Sequence, residues 1–319
     1  MTTANLEMRD AFIAALFIHA KKDRDIVFLT NDYGAPSLDQ FREELPEQFV
    51  NMGIAEQNII SAAAGMALGG KRAYVYSIAS FITLRCLEQI KIDLCCMDLP
   101  VTIIGVGGAY GYSADGPTHH ATEDIALMRA IAGMQIYCPA DANSSERLVD
   151  LSLHSSHPMY VRLDKGKYPL LYDRGADLST GFYRLREGDD LCIVATGTMV
   201  HRANEIAEEL EKHGIQAGII DTYRIKPFPQ ELQVILSKKK RIVSIEEHAL
   251  CGGLGSVIAE TIGDNDSCVP LKRFGISEDQ LYAYGLRDAL HQERGIDRVS
   301  VVDSILTWMK YGKSKGERK

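Results

Sequence analysis

The sequence predicts an α/β protein of two domains, each a mainly parallel sheet with helices on both faces. Three observations carry that reading. Short β-branched runs alternate with helix-length stretches, the pattern of parallel strands joined by crossover helices. The alternation stops and restarts around a polar, irregular passage between Asp164 and Asp190, long for an internal loop. The length, 319 residues, exceeds what one hydrophobic core usually serves. These place the first domain at residues 1–168, a linker at 169–188 and the second domain at 189–319.

In the first domain, strands are expected at residues 26–30, 73–76, 101–106, 135–138 and 160–163. Helices fall between them at 6–22, 57–68, 81–96, 122–131 and 144–154. The second domain restarts with a strand at 191–195 and a helix at 200–213, which Gly214 ends because glycine tolerates the left-handed closing turn. Strand 217–220, helix 229–236, strand 241–245, helix 254–262 and a last helix at 301–309 follow. No internal repeat or low-complexity tract interrupts this order.

Composition excludes several classes. With 46% hydrophobic and 24% charged residues, the chain reads as an ordinary soluble globular protein. No uninterrupted apolar run reaches the roughly 18–20 residues that a membrane helix needs. The first residues lack the basic, apolar and small-residue order of a secretory signal. Seven cysteines, an odd number without a C-x-x-C pair, point to reduced thiols and a cytoplasmic location. A net charge of −8 argues against nucleic-acid or anionic-membrane partners.

Glu56 is the first suspect for chemistry. In Met52-Gly53-Ile54-Ala55-Glu56-Gln57 it opens an apolar, small-residue helix, where a buried acid must find a partner or bear a large desolvation cost. Its plainer role is a helix-start acid complementing the dipole. The run Gly107-Gly108-Ala109-Tyr110-Gly111-Tyr112-Ser113-Ala114-Asp115-Gly116-Pro117-Thr118-His119-His120 follows an apolar strand, at the edge where open α/β sheets collect ligands. Asp115 offers an anionic acceptor and His119 a switchable donor. A glycine-rich turn before a capped helix is the structural alternative. The paired histidines also raise zinc, but no third ligand with suitable spacing follows. Asp32 after the first strand is either a site acid or a turn residue. Phe81 and Ile82 offer an apolar contact or core packing. Arg162 and Lys165 end the last strand of the first domain, Lys165 as a point charge without the bidentate fork. Glu246-Glu247-His248 with Gly252-Gly253-Leu254-Gly255 suggests either a phosphate-cradling loop or a structural turn, and its spacing fits no dinucleotide or P-loop fingerprint.

The Gly53–Gln57 stretch resembles the Gly-Ile-Ala-Glu-Gln segment of the transketolase family of thiamine diphosphate enzymes. Asp115-Gly116-Pro117-Thr118-His119 is similar to that family's substrate-channel motif. The resemblance implies a pyrimidine-binding domain followed by a transketolase C-terminal domain. It implies that Glu56 contacts the aminopyrimidine ring of the cofactor and shares a proton with it, that Phe81 or Ile82 packs on that ring, and that Asp32 lies close to the cofactor. It further implies that Asp115 and His119 contact sugar hydroxyls, with His119 near a distal anion held by Arg162 or Lys165. The Gly-Gly segment near residue 253 corresponds to a mainly structural stretch.

No Gly-Asp-Gly of the family's diphosphate and metal motif occurs. The resemblance therefore implies half of an enzyme, with the diphosphate and its Mg²⁺ or Ca²⁺ held by a separate N-terminal-section subunit, in a heterotetramer. The implied reaction moves a two-carbon ketol unit from a ketose to an aldose, on sugars or sugar phosphates. Two alternatives stay open: a half-enzyme like deoxyxylulose-phosphate synthases or the β subunits of 2-oxoacid dehydrogenase E1 enzymes, and a non-catalytic scaffold subunit.

Overall fold

The computed structural model describes residues 6–32 and 34–316, with side chains as far as residue 310. Within these residues the expected α/β architecture is present, as two mainly parallel sheets. The seven-stranded sheet contains β1 (Ile26–Thr30), β2 (Phe49–Asn51), β3 (Arg72–Ile78), β4 (Thr102–Val106), β5 (Gln135–Tyr137), β6 (Met159–Leu163) and β10 (Arg224–Lys226), in the order β10-β5-β6-β4-β3-β1-β2. The five-stranded sheet contains β7 (Tyr183–Arg186), β8 (Leu191–Ala195), β9 (Ala217–Asp221), β11 (Ile242–Ala249) and β12 (Leu271–Ile276), in the order β12-β11-β8-β9-β7. Only β10 and β7 run antiparallel to their neighbours.

The central strands β1, β4, β6, β8 and β9 are buried along their whole length. They read as continuous apolar runs because helices cover both sheet faces. Their edge partners β2, β7 and β10 are short or half polar, so neither an apolar run nor a clean alternation marks them. β7 lies inside the stretch expected to be linker. β10 comes from the second half of the sequence yet pairs with β5 of the first sheet, so the halves are joined by backbone hydrogen bonds as well as side chains. Two hydrophobic clusters run through both halves, one joining Phe28, Tyr76 and Val161 to Ile193 and Val243.

The single helix expected at 81–96 is instead three pieces: Ala79–Leu84, Leu87–Gln89 and a wider turn at Ile90–Cys95. The first break falls at Arg85 and Cys86. Among the described residues no helix is long and apolar enough to cross a membrane.

Candidate functional site

Five adjacent strands of the larger sheet, β6-β4-β3-β1-β2, are mutually parallel. Their carboxyl ends therefore face one way, and the segments that follow them converge on one edge. Asn31 and Asp32 follow β1, Ile54 and Glu56 follow β2, Phe81 and Arg85 follow β3, and these six line a cleft of about 310 Å³.

Glu56 begins the helix Glu56–Leu68, whose Ile59, Ile60, Ala63 and Ala64 pack against the sheet. That packing fixes the helix start and leaves Glu56 only 6% exposed at the cleft floor. Its carboxylate lies where the first-turn N–H groups favour negative charge. The cation opposite is Arg85, whose Nη1 donates to Glu56 Oε2 at 3.0 Å. The Arg85 guanidinium lies over the Phe81 ring, 4.4 Å from its centroid. The neighbouring Gln57 Nε2 donates to the Arg85 carbonyl at 2.9 Å, so two consecutive residues of one helix hold Arg85. Burial pushes the Cys86 thiol up to about 12, with Glu56 adding to it, so this cysteine supplies no thiolate to the cleft.

The segment after β4 closes over the Phe81 side. Gly107 has a φ of +79°, and the Tyr112 ring folds back onto it where a Cβ would stand. The Phe81 and His119 rings meet edge-on at 4.9 Å, and Tyr112 lies 6.0 Å from His119. Lys165 Nζ sits 4.1 Å above the Tyr112 ring. Glu56, Arg85, Phe81, His119, Tyr112 and Lys165 thus form one unbroken line of contacts. His119 Nδ1 is 3.0 Å from the Thr118 hydroxyl. Asp115 is exposed on the turn between Tyr112 and His119, its backbone N–H donating to the Tyr112 carbonyl at 3.0 Å. At Gly116, with φ of +77°, the Tyr284 ring from the second half lies against the turn. His120 points away, buried against Tyr110, and burial lowers its pKa.

Two expected site residues lie elsewhere. Ile82 is fully buried in the core with Ile59, Ile60 and Leu94, because the next residue along a helix points about 100° away from Phe81. Phe81 is the aromatic on the cleft. Arg162 is not available as an anion ligand. Its Nε donates to Asp124 Oδ2 at 2.8 Å, and its Nη2 donates to the carbonyls of Ala121 at 3.2 Å and Glu247 at 3.1 Å. A guanidinium this deeply buried must spend its donors on protein groups. Lys165, of the pair, is half-buried over the Tyr112 ring, and Asp32 is exposed on the cleft rim.

The Glu246–Gly255 segment is structural. Glu246 Oε2 accepts the Leu254 N–H at 2.6 Å and Oε1 accepts the Gly255 N–H at 2.7 Å, so the helix start is already occupied by the protein's own anion. Burial pushes that carboxyl up to about 7 against these two donors. Burial opposes the charge on Glu247 as well, yet Arg287 and His291 hold its carboxyl below the usual range. Arg287 also donates from Nη1 to Asp164 Oδ1 at 2.9 Å, tying the second half to the end of β6.

Sequence reasoning missed Arg85 and Asn31. Arg85 follows Phe81 by four residues, the spacing that places two side chains on one helical face, and that signal was readable. Asn31 is 2% exposed, and neither its amide nitrogen nor its oxygen has a hydrogen-bond partner among the described residues. Nothing in a lone strand-end Asn announces this.

Comparison with known proteins identifies the family. The family described as "Transketolase, pyrimidine binding domain" matches residues 4–170, and "Transketolase, C-terminal domain" matches residues 182–301. The chain is 35% identical over 314 residues to an apulose-4-phosphate transketolase subunit of Phocaeicola vulgatus, covering 97% of this chain and 100% of that one. It is 33% identical over 299 residues to a 6-deoxy-6-sulfo-D-fructose transketolase subunit of a Clostridium species, covering 92% of each. A solved structure described as a split gene transketolase, inactive beta4 tetramer, superposes with a TM-score of 0.87 at 32% identity, covering 95% of this chain and 98% of that one.

Proposed function

Since the chain belongs to the transketolase family, carrying its pyrimidine-binding and C-terminal domains, we propose that it is one subunit of a split, thiamine diphosphate-dependent transketolase. It moves a two-carbon ketol unit from a ketose to an aldose, in the cytoplasm, as part of a heterotetramer with a separate N-terminal-section subunit. The observation that carries the proposal is that Glu56 and Phe81 line one strand-end cleft and that the His119 ring packs against Phe81.

The cleft suits an aminopyrimidine. It offers a carboxylate nearly withdrawn from water, an aromatic face beside it and a buried amide, Asn31, with both polar atoms unpartnered among the described residues. Bound thiamine diphosphate supplies the carbon nucleophile that carries the ketol unit. Glu56 holds a proton at the ring nitrogen, Phe81 presents its face to the ring, and Asp32 lies at the rim. Asp115 and His119 orient sugar hydroxyls, His119 being the group placed to exchange a proton with substrate. Lys165 faces the distal anion. The relatives named above act on a phosphorylated and a sulfonated sugar by their names, and an ammonium suits either anion. The diphosphate and its Mg²⁺ or Ca²⁺ belong to the partner subunit.

Mixing the chain with its N-terminal-section subunit and thiamine diphosphate is expected to give ketose–aldose exchange without carbon dioxide release from pyruvate. Glu56→Gln is expected to abolish exchange while the two subunits still co-elute. Near-normal turnover by that variant refutes the assignment.

A further inference from the structure

The Arg85 guanidinium makes both contacts that the proposed ring would make. It is planar, cationic and an N–H donor. It donates to Glu56 at 3.0 Å and lies in stacking contact over the Phe81 face, 4.4 Å from the ring centroid. Its exposure differs from that of Glu56. The Glu56 side chain is 7% exposed and the Arg85 side chain 46%, so solvent lies beside the cation and not beside the carboxylate. The Gln57 bond to the Arg85 carbonyl anchors the main chain.

We propose that Arg85 is a further positioning residue of the cofactor site. It holds Glu56 and Phe81 in the arrangement a planar cationic heterocycle needs, and it gives up that place when the aminopyrimidine arrives. The inference rests on the cofactor reading above. Its physical basis is the cost of a buried carboxylate without a partner, which the Arg85 guanidinium offsets. The consequence is competition: the ring must displace the guanidinium, so Arg85 weakens cofactor uptake while keeping the site formed.

The test is a titration of the full-length chain, reconstituted with its partner subunit, with thiamine diphosphate and Mg²⁺ by calorimetry. An ion pair and a cation–π contact at a half-exposed site are modest, so Arg85→Ala is expected to bind the cofactor about fivefold tighter. Arg85→Lys, which keeps the charge but not the flat face, is expected to fall between. Inorganic pyrophosphate with Mg²⁺ is the control, since it lacks the ring, and its affinity is expected to be the same in all variants. If Arg85→Ala assembles poorly, Arg85→Gln is read instead, with the same direction expected. Cofactor affinity that is unchanged or weaker in the variant overturns the inference, as does an equal shift in pyrophosphate affinity. No uptake of thiamine diphosphate by the wild-type mixture overturns the cofactor reading and this inference together.

Discussion

Replacing Arg162 by Met separates a structural role from a substrate-binding one. Arg162 is 8% exposed and Asp124 1%. One Asp124 oxygen accepts from Arg162 Nε at 2.8 Å and from the Tyr160 hydroxyl at 2.6 Å. Met fills the space of the arginine stem but leaves the Asp124 carboxylate buried without its cation. It also removes the donors to the Ala121 and Glu247 carbonyls. Breaking a buried pair by deleting one partner costs about 3–5 kcal/mol. The Ala121 carbonyl keeps the Ala109 N–H at 2.9 Å; the Glu247 carbonyl loses the Arg162 donor, which adds roughly 1 kcal/mol, and the retained Tyr160 bond offsets part of the total. The expected loss is thus about 4 kcal/mol. Urea unfolding of the purified chain reads it as a lowered midpoint with unchanged slope. The double variant Asp124→Asn with Arg162→Met is expected to recover a large share, because a neutral amide can still accept from Tyr160 without stranding a charge. An Arg162→Met chain as stable as the wild type, with only a raised KM for phosphorylated sugars, refutes the reasoning and restores Arg162 to the substrate site.

Lys165→Ala is expected to raise KM for a ketose phosphate about fivefold and leave kcat and the KM of an uncharged ketose unchanged, as loss of one part-exposed point charge implies; steady-state kinetics of the reconstituted complex checks this. His248 makes stability depend on pH. Burial lowers its pKa from 6.5 to about 4, so the unfolded chain takes up a proton that the folded chain refuses. Stability from this group is therefore complete above pH 6.5 and lost as pH falls toward 4. Its full extent is about 3 kcal/mol. Glu246, raised from 4.5 to about 7, acts with the opposite sign, losing stability as pH rises through that window. Urea midpoints of His248→Gln and wild type from pH 7.5 to 4 isolate the histidine: the gap between them must narrow toward acid pH, and a constant gap contradicts the assignment.

The parts of the fold that announced themselves are those whose burial is uniform. Strands β1, β4, β6, β8 and β9, covered on both sides, leave continuous apolar runs that no loop produces. β2, β7 and β10 are three or four residues long, and their strand geometry comes from a neighbour already in place. The site divides the same way. Glu56, Asp115 and His119 could be proposed from the sequence because their motifs are long strings with fixed spacing. The placement of Phe81 against Ile82, and of Lys165 against Arg162, depended on which way a side chain faces. Residue type does not fix that at the end of a strand. Arg162 was misjudged because a strand-end arginine looks free until Asp124, distant in sequence, is found against it.

The balance of buried and open surface in the cleft also bears on the proposed sharing of the coenzyme with a partner chain. Its floor is finished: Glu56 is 6% exposed and Asn31 2%. Its rim is not, since Ile54 beside Glu56 is 75% exposed. The cleft, about 310 Å³, is lined by the ends of three strands and the segments after them. Apolar groups at the rim of a polar-floored cleft lose little by being covered and gain burial when they are. A second polypeptide seated on that rim would bury Ile54 and exclude water around Glu56. It would also bring the groups that hold the tail. The ring end and the tail end of one coenzyme can then be held by different chains without either chain carrying a complete site.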